Sequence, residues 1–193
     1  MWHPLQLIPE GWPRLVALAV LIVLILILGK SAPSADPLKP YRLVSLELAG
    51  NREIAATIIG AWKDEDNTKL NLALALQRLD TLFFIPLYST LLALVCVMVA
   101  DWLYARAPLA HTQGILLAYA MWLAAVLDWV ENYEMDKMLN AALSKTAEEA
   151  VKVSSPALAT ACASFKFLII GAGVCYLLTG VAARLFQLKS PAP

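Results

Sequence analysis

Four long apolar stretches, each bounded by charged or polar residues, dominate this sequence of 193 residues. An α-helix rises about 1.5 Å per residue, so roughly 20 residues are needed to cross a hydrocarbon core about 30 Å thick. Each stretch reaches that length when it extends into its flanks. The sequence therefore predicts an all-α four-helix transmembrane bundle, with spans at about residues 15–29, 79–100, 112–131 and 164–184.

The composition supports a membrane protein. Apolar residues make up 60% of the chain and charged residues 16%, whereas soluble domains average about 45–50% and 25%. Fifteen basic residues balance fifteen acidic ones, so the chain has no positive surplus to bind a phosphate backbone. We therefore expect the lipid bilayer as its environment and no nucleic acid as a partner.

The connections between the spans are unequal in length. About fifty residues separate the first two spans and nearly thirty separate the last two, so both long connections emerge on one side, which we call the loop face. The first begins with a proline-rich linker, residues 31–40. Asn51 then suits a helix N-cap, and Ile54, Ile58, Ile59 and Trp62 recur at helical spacing. The sequence predicts one membrane domain, residues 1–193, with amphipathic cap segments at about 45–78 and 133–153.

Ionisable side chains gather where the predicted spans meet the loop face. Asp128, Glu131 and Asn132 are spaced i, i+3 and i+4, which places them on one side of a helix. Lys166 precedes the apolar run of the fourth span. The start of the second span adds three more candidates to this group, which are Arg78, Asp80 and Tyr88.

Two interpretations of this group are open. Ionisable residues inside membranes are costly and often functional, which favours a site for a cation or a polar head group, or a proton relay. The alternative is an interhelical network that joins Lys166 to Asp128, or Arg78 to Glu131, and only stabilises the fold.

Small residues line the fourth span. Gly171, Gly173 and Gly180 leave room for a neighbouring helix, because small side chains let transmembrane backbones approach closely. We therefore predict helix packing at these three glycines.

No catalytic constellation stands out. His3 and His111 are expected on the face opposite the carboxylates, so a Ser-His-Asp triad that uses the acidic group cannot form. The usual histidine motifs for zinc or di-iron chemistry do not occur in the sequence. We predict no catalytic residue and favour a non-enzymatic protein. The sequence assigns neither a metal nor a cofactor.

Three blocks carry a resemblance to a family. Glu47–Trp62 (ELAGNREIAATIIGAW), Arg78–Ser89 (RLDTLFFIPLYS) and Leu127–Asn132 (LDWVEN) resemble an uncharacterised family of small four-span bacterial membrane proteins. The resemblance covers most of residues 45–145. It implies no activity, but it does imply that the positions to test first are Asp80, Tyr88, Asp128, Glu131 and Asn132.

These observations predict a multi-pass protein of the cell inner membrane. An even number of spans puts both termini on one side, and the basic short link and C-terminal tail favour the cytoplasm. For function, the first hypothesis is a non-enzymatic accessory subunit or scaffold of a larger membrane complex or homo-oligomer. The alternative is an ion- or lipid-handling protein, such as a small transporter or binding module that uses the carboxylates.

Overall fold

The computed structural model describes residues 2–104 and 107–188, the last five of them by backbone alone. Within these ranges the chain forms helices and no strand. The α-helices are α1 (Trp12–Ser31), α2 (Leu43–Glu47), α3 (Arg52–Trp62), α4 (Thr68–Leu79), α5 (Ile85–Leu103), α6 (Pro108–Ala142), α7 (Ala147–Ala150) and α8 (Pro156–Leu188). Short 3₁₀ segments occur at Pro4–Leu7, Asp36–Leu38 and Val151–Val153.

Four helical segments of the described chain are long and apolar enough to cross a membrane. They are Trp12–Ser31, Thr68–Leu103, Pro108–Ala142 and Pro156–Ala183. This confirms the predicted all-α, four-span fold class. Three of the segments are longer than the apolar runs alone, because helical structure continues into their polar flanks.

Helix α6 is one such extension. The apolar pattern predicts a span that ends near residue 131, but the helix continues without a break to Ala142. Polar residues in this part still find partners: Glu134 accepts a hydrogen bond of 2.8 Å from the Ser155 backbone and one of 2.7 Å from Lys137. The second cap segment therefore begins as a continuation of α6.

A π-helical turn at Asp80–Phe84 joins α4 to α5. Pro86 has no backbone N–H, so it cannot donate the bond that an α-helix would make to Leu82. The turn widens instead, and the N–H of Ile85 bonds to the carbonyl of Asp80. Helix α4, the turn and α5 thus form one continuous helical segment.

The chain divides into two compact units. Unit 1 consists of the residues up to Ile25, Leu87–Ala124 and the residues from Phe167 onward. Its core includes fully buried Val97, Ile115 and Met121.

Glycines contribute to the packing of unit 1. A Cβ atom at Gly173 would clash with Met121, and one at Gly180 would clash with Val99. Gly171 differs from the prediction, because a Cβ atom there would meet no atom within 4 Å. A further close approach, not anticipated from the sequence, brings Gly114 against Tyr176.

Unit 2 consists of Leu26–Pro86 and Ala125–Lys166. Its core packs α3 and α4 with Met135, Met138 and other buried residues of α6. Helix α3 begins after Asn51, whose side chain accepts a hydrogen bond from the Ile54 N–H, the N-cap that the sequence predicts.

The apolar face of α3 differs slightly from the prediction. Ile58, Ile59 and Trp62 are buried, and the Trp62 indole donates a bond of 2.9 Å to the Leu38 carbonyl. Ile54 is 48% exposed, because the buried stripe runs through Ala55 instead.

Candidate functional site

A network of one lysine and three carboxylates lies in unit 2. Lys166 Nζ is 2.5 Å from Asp128 Oδ1, 2.9 Å from Glu131 Oε2 and 3.5 Å from Glu47 Oε2. The Lys166 side chain is only 7% exposed, and Glu131 is fully buried. The pairing of Lys166 with Asp128 is one of the two contacts that the network interpretation anticipates.

Elements far apart in sequence supply these groups. Glu47 ends the five-residue helix α2, Asp128 and Glu131 lie one turn apart on α6, and Lys166 is in α8. Thr160 on α8 strengthens the same junction, because its hydroxyl donates a hydrogen bond of 2.8 Å to the Glu47 carbonyl. The buried lysine thus holds α2, α6 and α8 together within unit 2.

A second polar group surrounds Asn132. Its side-chain amide donates hydrogen bonds to Asp80 Oδ2 at 2.8 Å and to Thr81 Oγ1 at 2.9 Å. Its backbone carbonyl accepts a bond of 2.7 Å from Gln77 Nε2. This contact identifies which end of the Gln77 side-chain amide is the nitrogen, since a carbonyl can accept a hydrogen bond only from an NH₂ group.

The other end of the Gln77 amide has no partner among the described residues. Gln77 is 2% exposed, and its Oε1 is buried without a hydrogen bond. Burying an unpaired acceptor costs about 1–3 kcal/mol.

Gln77 is one of the residues that line a pocket of about 220 Å³. Its polar lining consists of Glu47, Gln77, Asp80 and Asn132. Apolar side chains complete the wall, and these are Ala35, Leu43, Leu76, Phe84 and Met135. Asn132 already donates its amide hydrogens to Asp80 and Thr81. The polar groups left to face a ligand are therefore hydrogen-bond acceptors.

The π-helical turn shapes this pocket. Its first residue, Asp80, and its last, Phe84, both line the cavity, four positions apart. Single π turns inside α-helices are uncommon and are frequently found at functional sites.

The predicted site residues therefore separate into groups. Asp128, Glu131 and Lys166 form the buried ion-pair network, while Asp80 and Asn132 belong to the pocket.

The pairing of Arg78 with Glu131 is wrong. Arg78 is exposed and lines a second groove of about 430 Å³, which Gln77, Asn132 and Trp129 line as well. Glu131 pairs with Lys166 instead.

Tyr88 lies on α5 in unit 1, and is half-buried. It therefore belongs to the other compact unit and is not a member of the pocket lining.

Glu47 was missed in the sequence. It offers no helical-spacing signal, because its helix is too short to show a periodic pattern.

The described part of the chain holds no group of three or more histidine, cysteine or acidic side chains arranged to bind a metal ion. Lys166 takes the place that a metal would need among Asp128, Glu131 and Glu47. Chemically, these carboxylates can stabilise a positively charged group that itself donates hydrogen bonds.

Unit 1 contains a separate polar cluster that the sequence interpretation did not anticipate. Asp101 accepts hydrogen bonds of 2.6 Å from both Arg14 and Gln6, and the His111 Nε2 lies 3.6 Å away. His3 packs against the Tyr119 ring, which is distant in sequence, with 4.4 Å between the ring centroids. Burial lowers the pKa of the His3 imidazole below the ordinary 6.5. These contacts tie the N-terminal segment to α5 and α6 within unit 1.

No protein-family model matches this chain, and no significant match was found among curated proteins or solved structures. The resemblance to four-span bacterial membrane proteins therefore stays a prediction.

Proposed function

We propose that this chain is a non-enzymatic integral membrane protein that binds a positively charged ligand in the pocket between Glu47, Gln77 and Asp80. The observation that carries this proposal is the pair of carboxylates, Glu47 and Asp80, that line one cavity. A cationic ligand would offset their negative charge.

The charges around the pocket support this function. Glu47 shares Lys166 with Asp128 and Glu131, so one lysine serves three carboxylates before Asp80 is counted. Buried charge that is not neutralised is expensive, and the cost falls when a cation binds. A positive group bound in the pocket would compensate this charge.

A thermal-melt experiment on the full chain in mild detergent tests the proposal. We expect cations from a panel of alkali ions, divalent ions and organic ammonium salts to include at least one that raises the melting temperature by mass action. Asp80→Asn should abolish this rise. Asp66→Asn is the matched control, because it makes the same chemical change at an exposed position outside the pocket.

Two results would contradict the proposal. One is that no cation of the panel stabilises the protein. The other is a stabilisation of equal size in the wild type, Asp80→Asn and Asp66→Asn, which would mean that the cations act elsewhere.

A second candidate function is an accessory subunit or scaffold, and helix α1 favours it. Arg14 is the buried residue of this helix, and apolar side chains such as Val20, Leu24 and Ile27 are exposed. These faces are available to lipid or to a helix of another chain. Copurification in mild detergent tests the subunit hypothesis: a stoichiometric partner supports it, and loss of that partner on Val20→Trp would assign the contact to α1.

For localisation, we propose the inner membrane of a bacterial cell, with both termini in the cytoplasm. The basic short link and tail support this orientation through the positive-inside rule.

A further inference from the structure

We infer that the groove beside Arg78 binds a phospholipid with a zwitterionic head group, its phosphate at Arg78 and its ammonium at Asp136. The groove has a volume of about 430 Å³, and residues of α4, the π-helical turn and α6 line it within unit 2. Its lining among the described residues includes neither Glu47 nor Asp80, the carboxylates of the cation pocket. The lipid site is therefore distinct from the site of the proposed function.

One wall of the groove is an indole ring held in a fixed place. In the π-helical turn, the Ile85 N–H bonds to the Asp80 carbonyl, and Pro86 has no N–H. Neither residue therefore supplies the Thr81 carbonyl with a donor. The Trp129 indole N–H supplies one instead, at 3.1 Å, while Trp129 stays 45% exposed. The ring is thus anchored to the turn and still open to a ligand.

An exposed apolar face continues from this ring along α6. Four exposed side chains follow the spacing i, i+3, i+4 and i+7 on one side of the helix, and these are Val126, Trp129, Val130 and Tyr133. Both helical segments that border the groove are long and apolar enough to cross a membrane. Tryptophan and tyrosine are enriched where a membrane meets water. This places the groove at the level of the lipid head groups, with its apolar end toward the acyl chains.

The charged residues lie toward the polar end of the groove in a defined order. Bonds between residues 77 and 132 and between 81 and 129 show that the two segments run in opposite directions. Arg78 is three residues before Thr81, and Asp136 is seven residues after Trp129. At 1.5 Å per residue, Arg78 lies about 4.5 Å and Asp136 about 10 Å beyond the bond between Trp129 and Thr81. A zwitterionic phospholipid has the same order of acyl chain, phosphate and ammonium.

The two charges of the groove complement such a head group. Arg78 is exposed and Asp136 half-buried, and neither forms a salt bridge within the part of the chain that the structure describes. A guanidinium presents pairs of N–H donors that match two phosphate oxygens. The carboxylate repels a head group of net negative charge and attracts an ammonium. One positive and one negative group therefore fit a zwitterion better than an anionic lipid.

A lipid titration of the delipidated full chain in mild detergent, followed by native mass spectrometry, tests the site. The probes share the same acyl chains, and they are phosphatidylethanolamine, phosphatidylcholine, phosphatidylglycerol and diacylglycerol. We expect one equivalent of either zwitterionic lipid to bind at a concentration about tenfold or more below that of diacylglycerol, which lacks the charged phosphate that accepts hydrogen bonds. Phosphatidylglycerol should bind more weakly than both zwitterionic lipids.

Variants assign the binding to the groove. Arg78→Gln should weaken the binding of all three phospholipids by about tenfold. Asp136→Asn should raise the affinity for phosphatidylglycerol relative to phosphatidylethanolamine, because the repulsion is removed. Arg52→Gln is the matched control, since it makes the same change at an exposed position of α3 outside the groove, and it should leave binding unchanged. If Arg78→Gln lowers the lipid-free melting temperature, Arg78→Lys replaces it and should bind with intermediate affinity, because it keeps the charge and loses the paired donors.

Four results would overturn the inference. Equal binding of diacylglycerol and the phospholipids would exclude a head-group site. Equal phospholipid affinities in the wild type, Arg78→Gln and Arg52→Gln would exclude this groove. A wild-type preference for phosphatidylglycerol would exclude the zwitterion. A stoichiometric protein that copurifies with the wild type and is lost on Val130→Trp would assign the apolar face to a protein partner instead of a lipid.

Discussion

The carboxylate of Glu131 is fully buried and lies 2.9 Å from the ammonium group of Lys166. The same lysine also contacts Asp128 and Glu47. A buried charge of this kind is tolerated only with an opposite charge beside it. Lys166 is therefore the residue on which the other members of the network depend most.

The first prediction concerns Lys166. Lys166→Met should lower the free energy of unfolding by about 3–5 kcal/mol, because it leaves three carboxylates without their shared cation. Asp128→Asn should cost less, since Lys166 keeps Glu131 and Glu47. The double variant should cost less than the sum of the two, because neutralising Asp128 relieves part of the imbalance. Equilibrium unfolding in mixed micelles measures all three.

Lys152→Met is the control for this cycle, because Lys152 is exposed. It should change stability by no more than about 0.5 kcal/mol. Equal effects of Lys166→Met and Lys152→Met would show that the buried ion pairs contribute nothing to folding.

The second prediction ranks three glycine-to-alanine variants on α8. Gly180→Ala should destabilise the chain by about 1–3 kcal/mol, because its Cβ would meet Val99, whose branched side chain has little freedom in a helix. Gly173→Ala should cost less, since the flexible end of Met121 can move aside. Gly171→Ala should be neutral or stabilising by up to about 1 kcal/mol, because alanine favours helix and the position is open. Melting temperatures in the reverse order would refute this packing.

The third prediction concerns His3 and pH. Burial lowers the pKa of its imidazole below 6.5 in the folded chain. As the pH falls, the unfolded state therefore takes up the proton first. The contribution of His3 to the free energy of unfolding should be constant above pH 6.5 and should decrease as the pH drops from 6.5 through the native pKa. His3→Asn should remove this component from the pH dependence of the melting temperature. His111→Gln serves as the comparison, and the idea fails if His3→Asn leaves the profile unchanged.

The fourth prediction concerns topology. Four spans require that the two termini lie on one side of the membrane and that the connection between α6 and α8 lies on the other. In a background without native cysteines, Leu7→Cys and a cysteine added after Pro193 should label in the same compartment with a membrane-impermeant maleimide. Glu148→Cys, at an exposed position in α7, should label from the opposite side. Labelling of Leu7→Cys and the added cysteine from different sides would remove the four-span arrangement.

The helices could be predicted from the sequence, because hydrophobic length and helical spacing are local properties. The same spacing placed Asp128, Glu131 and Asn132 on one side of α6. The position of Lys166, just before the fourth apolar run, anticipated it as their partner. The end of α6 was misjudged, since Glu134 and Asp136 resemble the polar border of a span. Glu134 accepts a hydrogen bond from the backbone of Ser155, 21 positions away, and a local pattern does not reveal such a partner.

The pocket could not be predicted in this way. It needs Glu47 from a five-residue helix and Gln77 from another, more than two dozen positions apart, and only tertiary packing brings them to one cavity. The π-helical turn adds to the difficulty, because helical spacing assumes 3.6 residues per turn throughout.

The network around Lys166 also bears on how the chain is made. Synthesis proceeds from the N-terminus, so Glu47, Asp128 and Glu131 leave the ribosome before the lysine that neutralises them. Until Lys166 has been made, Asp128 and Glu131 lack the cation that they share in the folded chain and are better placed in water than in a folded core. Closure of unit 2 around these acids is therefore a late event in biogenesis.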